Sequence, residues 1–518
     1  MKKILIFMIC ALFAIGTFSG CNFKKTERAK VDPDADVSQK IDLKILLPYV
    51  SDSMQSNKAI PLINEITGYN TSYDQLPTGS AAETNINNLF VDKDKTYNAL
   101  KLTKNQFNRY AVKAAAFADL TDVLASPKFS VMKEAISPEA WEAVTFDGKI
   151  LGIPDSASNN NIDKSIIIRK DLMYKLVNER TGQPFTEVPD TLEDFVELLK
   201  AFKKSTGSNT AFSLPSNIYV VGPIAAALGI EQEWSEVNGQ LTYLAEHPEL
   251  QKYVDFMKQL RSEGLLDMAM QSNSFQTCAQ NFAQGKSIAT LSNFWEMATV
   301  DAQLEAYSKV TADCVDFAYA FENEDGEKLT WQSSGVTYVT VIPNWMAETG
   351  THVMYYIQEK LREENFVRIV AGDLGTHYKY NSLTKEYEPL PAFAEDKTSS
   401  DHFLTGTNDN IYNKYWTQIV IKGNDNYYMQ WKATNTDAFA DGLKGVLNPV
   451  SFAPALETYS SHAAGMEDYF NAEITKMIYG SDASVTVDSI KAGWIAAGTQ
   501  ESIDEIRAWY NKTKEVNG

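Results

Sequence analysis

Apolar and polar residues alternate through Ile41-Asp42-Leu43-Lys44-Ile45 before Leu46-Leu47-Pro48. A period of two predicts a strand that enters a sheet and stops at the proline. Tyr97–Leu102 gives a second, weaker strand signal, and Ala111–Leu124 has partly helical apolar spacing. Ser137-Pro138 reads as a cap followed by proline at the first helical position. Asp147-Gly148 predicts a tight turn into a short strand ending at Pro154, and Ile166-Ile167-Ile168 a buried strand running into a helix. Thr191 with Asp194 resembles a capping box, opening a helix whose apolar stripe is Leu192, Phe195, Leu198, Leu199 and Phe202. A second amphipathic helix starts at Pro248, buries Leu250, Tyr253, Val254, Met257 and Leu260, and stops near Gly264. Val336–Ile342 is a further strand candidate. Strands alternating with helices indicate an α/β protein, and no repeat of solenoid length is visible.

The chain start follows a different logic. Met1-Lys2-Lys3 is basic, and the apolar run Ile4–Phe18 is too short to cross a bilayer comfortably but has the length of a secretory core. Phe18-Ser19-Gly20-Cys21 resembles a bacterial lipobox, in which the cysteine thiol is acylated and residues 1–20 are removed; Phe18 departs from the usual leucine. An ordinary signal peptide with a chance cysteine is the alternative. Residues 21–40 are polar and charge-rich, so they are expected to form a flexible tether. Asp32, Asp34 and Asp36 alternate like calcium-loop ligands, but Val37 stands where glycine is needed and Leu43 where glutamate is needed.

Without residues 1–20, just under 500 residues remain, more than one core normally accommodates, so two lobes are expected. The net charge of −20 becomes −22 when Lys2 and Lys3 leave. Such a surface disfavours nucleic acid and anionic lipid, leaving membrane attachment to the anchor. No second apolar segment is long enough to span a membrane. Cys278 and Cys314 are expected as two separate buried thiols, with a disulfide as the alternative.

The order of several segments resembles the extracellular solute-binding proteins of ABC importers, in particular the large lipoproteins common in Gram-positive bacteria. The matching stretches are Phe117–Leu124, Asp147–Pro154, Ile168–Leu172 with Thr191–Phe202, Tyr253–Leu266, Phe282–Ala289 and Gly372–Tyr378. The tail from Phe452 through Trp494 to Tyr510 is similar to that group's C-terminal helices. The resemblance implies a two-lobed periplasmic-binding-protein-like α/β fold with a hinge, an interlobe cleft and extra C-terminal helices. It divides the chain into an N-terminal lobe of 41–155 and about 300–375, and a C-terminal lobe of 156–299 and about 376–518. It further implies membrane permease subunits as partners and a location outside the cytoplasm, where the lipid anchors the chain. The large body and the polar-aromatic loops favour a carbohydrate, in particular an oligosaccharide. No cofactor is expected, and a chain this acidic with a tether is expected to be a monomer. Many relatives carry an Asp/Asn/Gly-rich loop after the helix matching Thr191–Phe202. Here the chain reads Lys203-Lys204-Ser205-Thr206-Gly207-Ser208-Asn209, so no calcium is expected there.

Sugars need aromatic faces for their C–H surfaces and planar donors and acceptors for their hydroxyls. Asn293-Phe294-Trp295 offers both at the end of a predicted strand, and Trp331-Gln332 does so before another. Asp155 and Asn159 lie in a polar run at an expected lobe crossing; Tyr49 and Asp52 follow the first strand, where α/β sheets place ligand loops. Trp416 and Trp431 are weaker candidates. Gly285-Lys286-Ser287 fails as a phosphate loop because Gln280 occupies the required glycine position. A binding protein rather than an enzyme is therefore expected. A glycan hydrolase is the alternative, since the 67 acidic residues could hide a catalytic pair, but no Gly-x-Ser-x-Gly or His-Glu-x-x-His motif is present. A peptide or another polar solute is the alternative ligand.

Overall fold

The computed structural model describes residues 27–49, 58–113, 115–162, 164–396, 400–423, 425–480 and 482–517. Cys21 and Asp52 lie outside them. The elements that carry the architecture are β1 (Leu43–Leu47), α1 (Ala59–Thr67), β2 (Thr71–Gln75), β3 (Ala99–Thr103), α2 (Lys104–Ala111), β4 (Ile153–Ile162), β5 (Ser165–Arg169) and α3 (Leu192–Thr206). They continue with β6 (Phe212–Ser213), β7 (Trp234–Val237), β8 (Gln240–Tyr243), α4 (Leu250–Ser262), β9 (Ala289–Ser292), β10 (Val315–Ala318) and β11 (Leu329–Val341). Last come α5 (Gly350–Leu361), β12 (Lys444–Leu447), α6 (Tyr459–Tyr479) and α7 (Val487–Asn517), which is two helices meeting at a kink at Thr499.

The first lobe is built on a sheet ordered β12-β11-β3-β1-β2, with β4 also paired to β11. β1 runs parallel to β2 and β3, as expected of strands linked by helices. The second lobe holds the sheet β6-β9-β5-β10. The predicted helix Leu192–Thr206 is present, with Thr191 Oγ1 accepting from the Asp194 N–H and Gly207 closing it in the left-handed conformation. Leu250–Ser262 buries the predicted stripe.

Two long antiparallel strands, β4 and β11, join the lobes. At one end Ile153 pairs with Thr340, and at the other Ile162 pairs with Gln332. Their register slips between Ser333 and Gly335 and between Val336 and Tyr338. Such bulges bend a strand and re-aim its side chains.

The cores divide the chain differently from the expected boundaries. Val300, Leu304, Val315 and Phe317 pack with Ile167 in the second lobe. That lobe therefore continues through β10, because β10 pairs with β5. Phe403 and Leu404 belong to the first lobe's core, and Tyr378, Phe393, Tyr415 and Ile419 form a satellite cluster with Val367 of the first lobe. The chain returns to the second lobe at Met429 and Ala433, which pack against the Ile167 cluster, and again in the tail, where Met466, Phe470, Ile474, Trp494, Ile503 and Ile506 are buried against it. The predicted C-terminal helices are α6 and α7.

Residues 27–40 also depart from expectation. Instead of forming a tether, they lie on the first lobe: Val31 is fully buried, and the Arg28 guanidinium donates to the carbonyls of Phe117 and Ala111. Ala29 N–H donates to Asn344 Oδ1, and Thr351 Oγ1 donates to the Asp32 carbonyl. The stretch has one large apolar anchor, and backbone groups supply the remaining contacts. Composition alone does not register that arrangement. Cys278 and Cys314 are both unpaired thiols.

Candidate functional site: a cavity between the lobes

A cavity of about 610 Å³ opens where α2 of the first lobe, α6 and the β6–β8 region of the second lobe, and the hinge strand β11 converge. The volume is typical of small-molecule sites. Each wall has a local origin. β3 ends at Thr103, whose hydroxyl accepts from the Gln106 N–H while Gln106 Oε1 accepts from the Thr103 N–H. This capping box starts α2 at Lys104 and places Lys104, Asn105 and Asn108 on the cavity wall.

The hinge contributes Trp331, Gln332 and Ser333. Trp331 Nε1 donates to the Ile230 carbonyl at 3.0 Å. A Cβ on Gly222 would come within 3.3 Å of the Trp331 ring, so glycine lets the indole lie against the backbone. Gln232 Nε2 donates to the Val446 carbonyl at 2.9 Å and the Gln332 carbonyl at 3.3 Å, fastening the second lobe's wall to β11 and β12. Asn448 Nδ2 reaches Glu233 Oε2 at 3.5 Å.

The second lobe adds Asn217, Tyr219, Glu233, Trp234, Tyr459, Glu467 and Asn471. Trp234 meets the rings of Tyr243, Tyr459 and Trp494 with centroid separations of 5.1, 6.1 and 6.1 Å. These rings give the cavity a rigid aromatic end. Burial pushes the Tyr243 and Tyr459 hydroxyls up, and Glu233 and Glu467 act in the same direction on both. Burial likewise raises the Glu467 carboxyl, with Asp468 adding to the shift. Burial alone lowers the Lys104 ammonium to about 7. The arrangement combines flat apolar faces with amides and carboxylates, the two kinds of partner that a polyhydroxylated ring requires.

The sequence candidates scatter around this cavity. Trp331 and Gln332 line it. Asn293, Phe294 and Trp295 do not; they cap the end of β9, where Phe294 packs with Trp416 and Ile421. Trp295 lies edge-on to Phe294 at 4.7 Å and is 46% exposed. Asn293 is buried, its N–H donating to Glu296 Oε2. Asp155 is buried in an ion pair with Lys101 at 2.5 Å, away from the cavity lining. Asn159 lies within β4, and the side chains of residues 156–161 are outside the described set. Tyr49 is exposed beyond β1.

Sequence reasoning missed Lys104, Asn217, Tyr219, Gln232, Glu233, Trp234, Tyr459 and Glu467. Asn217-Ile218-Tyr219 and Gln232-Glu233-Trp234 show the same amide-plus-aromatic signature as Trp331-Gln332 and could have been found by it. Tyr459 and Glu467 lie on a long helix, where nothing marks them.

Two lobes joined by paired hinge strands around a polar-aromatic cavity define the binding-protein class of α/β folds. The comparisons agree. The chain belongs to the bacterial extracellular solute-binding protein family, whose model matches residues 93–358. It is 23% identical to the polygalacturonan/rhamnogalacturonan-binding protein YtcQ of Bacillus subtilis over 390 residues, covering 73% of this chain and 74% of that one. It is 21% identical to lipoprotein LipO of Bacillus subtilis, covering 96% of each. Among solved structures it resembles the S. pneumoniae ABC-transporter substrate binding protein FusA, an EF-hand mutant in complex with fructo-nystose. The TM-score is 0.67 at 15% identity, with 92% of this chain and 100% of that one covered.

Proposed function

We propose that this protein captures an oligosaccharide in the interlobe cavity and delivers it to an ABC importer, held at the outer face of the cell membrane by a lipid on Cys21. The observation that carries this reading is the cavity lining. Tyr219, Trp234, Trp331 and Tyr459 supply ring faces, and Asn217, Gln332 and Asn448 supply amide groups. Membership of the solute-binding family supports capture rather than catalysis. The saccharide ligands named for YtcQ and for the FusA complex support carbohydrate over peptide. LipO, a lipoprotein similar along nearly its whole length, supports the anchor. Trp295 serves as an accessory stacking face for a long ligand. No cofactor or nucleic acid takes part, and the protein acts as a monomer.

The test is calorimetric titration of residues 22–518 with neutral oligosaccharides, acidic oligosaccharides and peptides, while the sugars are followed for breakdown. Binding of a saccharide that remains intact supports the reading. Binding of peptides only overturns the carbohydrate assignment, and cleavage of a glycan overturns the binding-protein assignment. Metabolic labelling with palmitate, compared between the wild type and Cys21→Ser, tests the anchor.

A further inference from the structure

Three cations stand within nine residues at the junction of β3 and α2, and they are treated differently. Lys101 is paired with Asp155 and Arg109 with Glu83, each at 2.5 Å. Lys104, between them, faces the cavity. Its ammonium donates to Asn108 Oδ1 and, at 2.9 Å, to the Ala453 carbonyl. Among the described residues no carboxylate forms an ion pair with it. A half-buried cation that has only neutral acceptors carries a desolvation cost that no ion pair offsets.

We propose that the cavity takes a saccharide bearing a carboxylate, of the uronic-acid class, and that this carboxylate becomes the counter-ion of Lys104. The proposal rests on the reading of the cavity as a saccharide site. A carboxylate against Lys104 Nζ forms a charge-assisted hydrogen bond at a partly buried position, where such bonds are stronger than in open water. The charged groups around it fit a single acid directed at the first lobe. On its own helix, Arg109 is already neutralised by Glu83. The Val450–Pro454 stretch presents no titratable side chain. From the second lobe come Glu233 before β7 and Tyr459 and Glu467 on α6. Glu233 and Glu467 line the second lobe's side of the same cavity. There they suit sugar hydroxyls and would repel a second acid.

The sign of the proton linkage follows. In the empty protein Lys104 loses its proton near pH 7, well below its ordinary value. An arriving carboxylate raises that value, so binding at pH 8 takes up a proton.

The experiment titrates residues 22–518 with oligogalacturonates, alginate oligosaccharides and glucuronoxylan fragments, each beside its carboxyl-reduced counterpart, in two buffers of different ionisation enthalpy at pH 8. The expected result is an acidic sugar that binds about tenfold to a hundredfold tighter than its reduced form, with proton uptake. Lys104→Met should remove both the preference and the uptake, so that the acidic sugar and its reduced form bind equally. The unliganded variant should melt no lower than the wild type, since a costly buried charge has gone. Equal binding of acid and reduced forms, binding of neutral sugars only, or an equal loss of both in Lys104→Met overturns the proposal and leaves the saccharide reading standing. A much lower melting temperature of the empty variant overturns it too, because Lys104 would then be a structural tie to Ala453. Failure of every sugar, with peptides binding, overturns the saccharide reading itself.

Discussion

The Asp155 carboxylate and the Lys101 ammonium meet at 2.5 Å inside the first lobe, so hinge strand β4 is tied by charge to the central strand β3. Lys101 also donates to the Leu404 carbonyl at 2.7 Å. Nearby, Lys360 Nζ donates to the Phe403 carbonyl at 2.5 Å and to Thr405 Oγ1 at 3.0 Å. Burial raises the Asp155 carboxyl against the opposing pull of Lys101 and Lys360, and burial drives Lys360 well down. The cluster fixes the Phe403–Thr405 turn to the root of the hinge.

Removing one member of a buried pair strands the other. Asp155→Ala is expected to lower stability by about 3–5 kcal/mol, measured by urea unfolding. Ligand affinity of the folded fraction should change little. Unaltered stability with lost affinity would instead make Asp155 a ligand contact.

Trp331 and Trp295 separate by the same comparison. Trp331 lines the cavity, and its Nε1 is already occupied by Ile230. Trp331→Ala should therefore cost ligand affinity about tenfold or more through the lost ring face, while Trp331→Phe retains part of it. Trp295, nearly half exposed, should cost less affinity on truncation. Isothermal titration of the three variants decides, and a larger loss at Trp295 would move the principal stacking site to the end of β9.

Much of the fold was legible because it rests on local rules. The Thr191 cap, the Leu192–Phe202 stripe and the Ile166–Ile168 strand all form as the pattern demands. The lobe boundaries were not legible, since they depend on pairings such as that of Val315 with Arg169, which no local pattern encodes. The site was half legible for a related reason. Trp331-Gln332 advertises sugar chemistry in two adjacent residues, whereas Lys104 is unusual only for the carboxylate it lacks. Asp155 looked like a loop acid because its partner Lys101 lies 54 positions away in sequence.

Lys203 accounts for the loop that lacks calcium ligands. Its Nζ donates to the Glu263 carbonyl at 2.6 Å, so a side-chain ammonium stands between the end of α3 and the turn after α4. Lys203→Met should lower stability by about 1–2 kcal/mol. Adding a chelator should leave the melting temperature of the wild type unchanged. A drop on chelation would reveal a bound cation.

Val31 sits against Gly350, where an added Cβ would come within 2.6 Å of a Val31 methyl. The docked stretch should therefore contribute to folding. Starting the chain at residue 41 should lower the melting temperature by several degrees relative to a start at residue 27, through loss of the buried Val31 and the Arg28 hydrogen bonds. Equal melting temperatures would restore the tether reading for residues 27–40.

Gly335 offers the sharpest test of the hinge. It lies at the bulge of β11 with φ of 104°, a region open to glycine and strained for other residues. A Cβ there would meet the Ser451 carbonyl oxygen at 2.4 Å. The same strand carries Trp331, Gln332 and Ser333 into the cavity just before the bulge, and Ser451 belongs to the cavity wall. Gly335→Ala must therefore either strain the backbone or push the two segments apart. The strain is expected to cost about 1–3 kcal/mol in urea unfolding. Ligand affinity should fall with it, because displaced hinge residues no longer present Trp331 at its resting position. If Gly335→Ala unfolds at the same urea concentration as the wild type, the close approach to Ser451 is not part of the hinge.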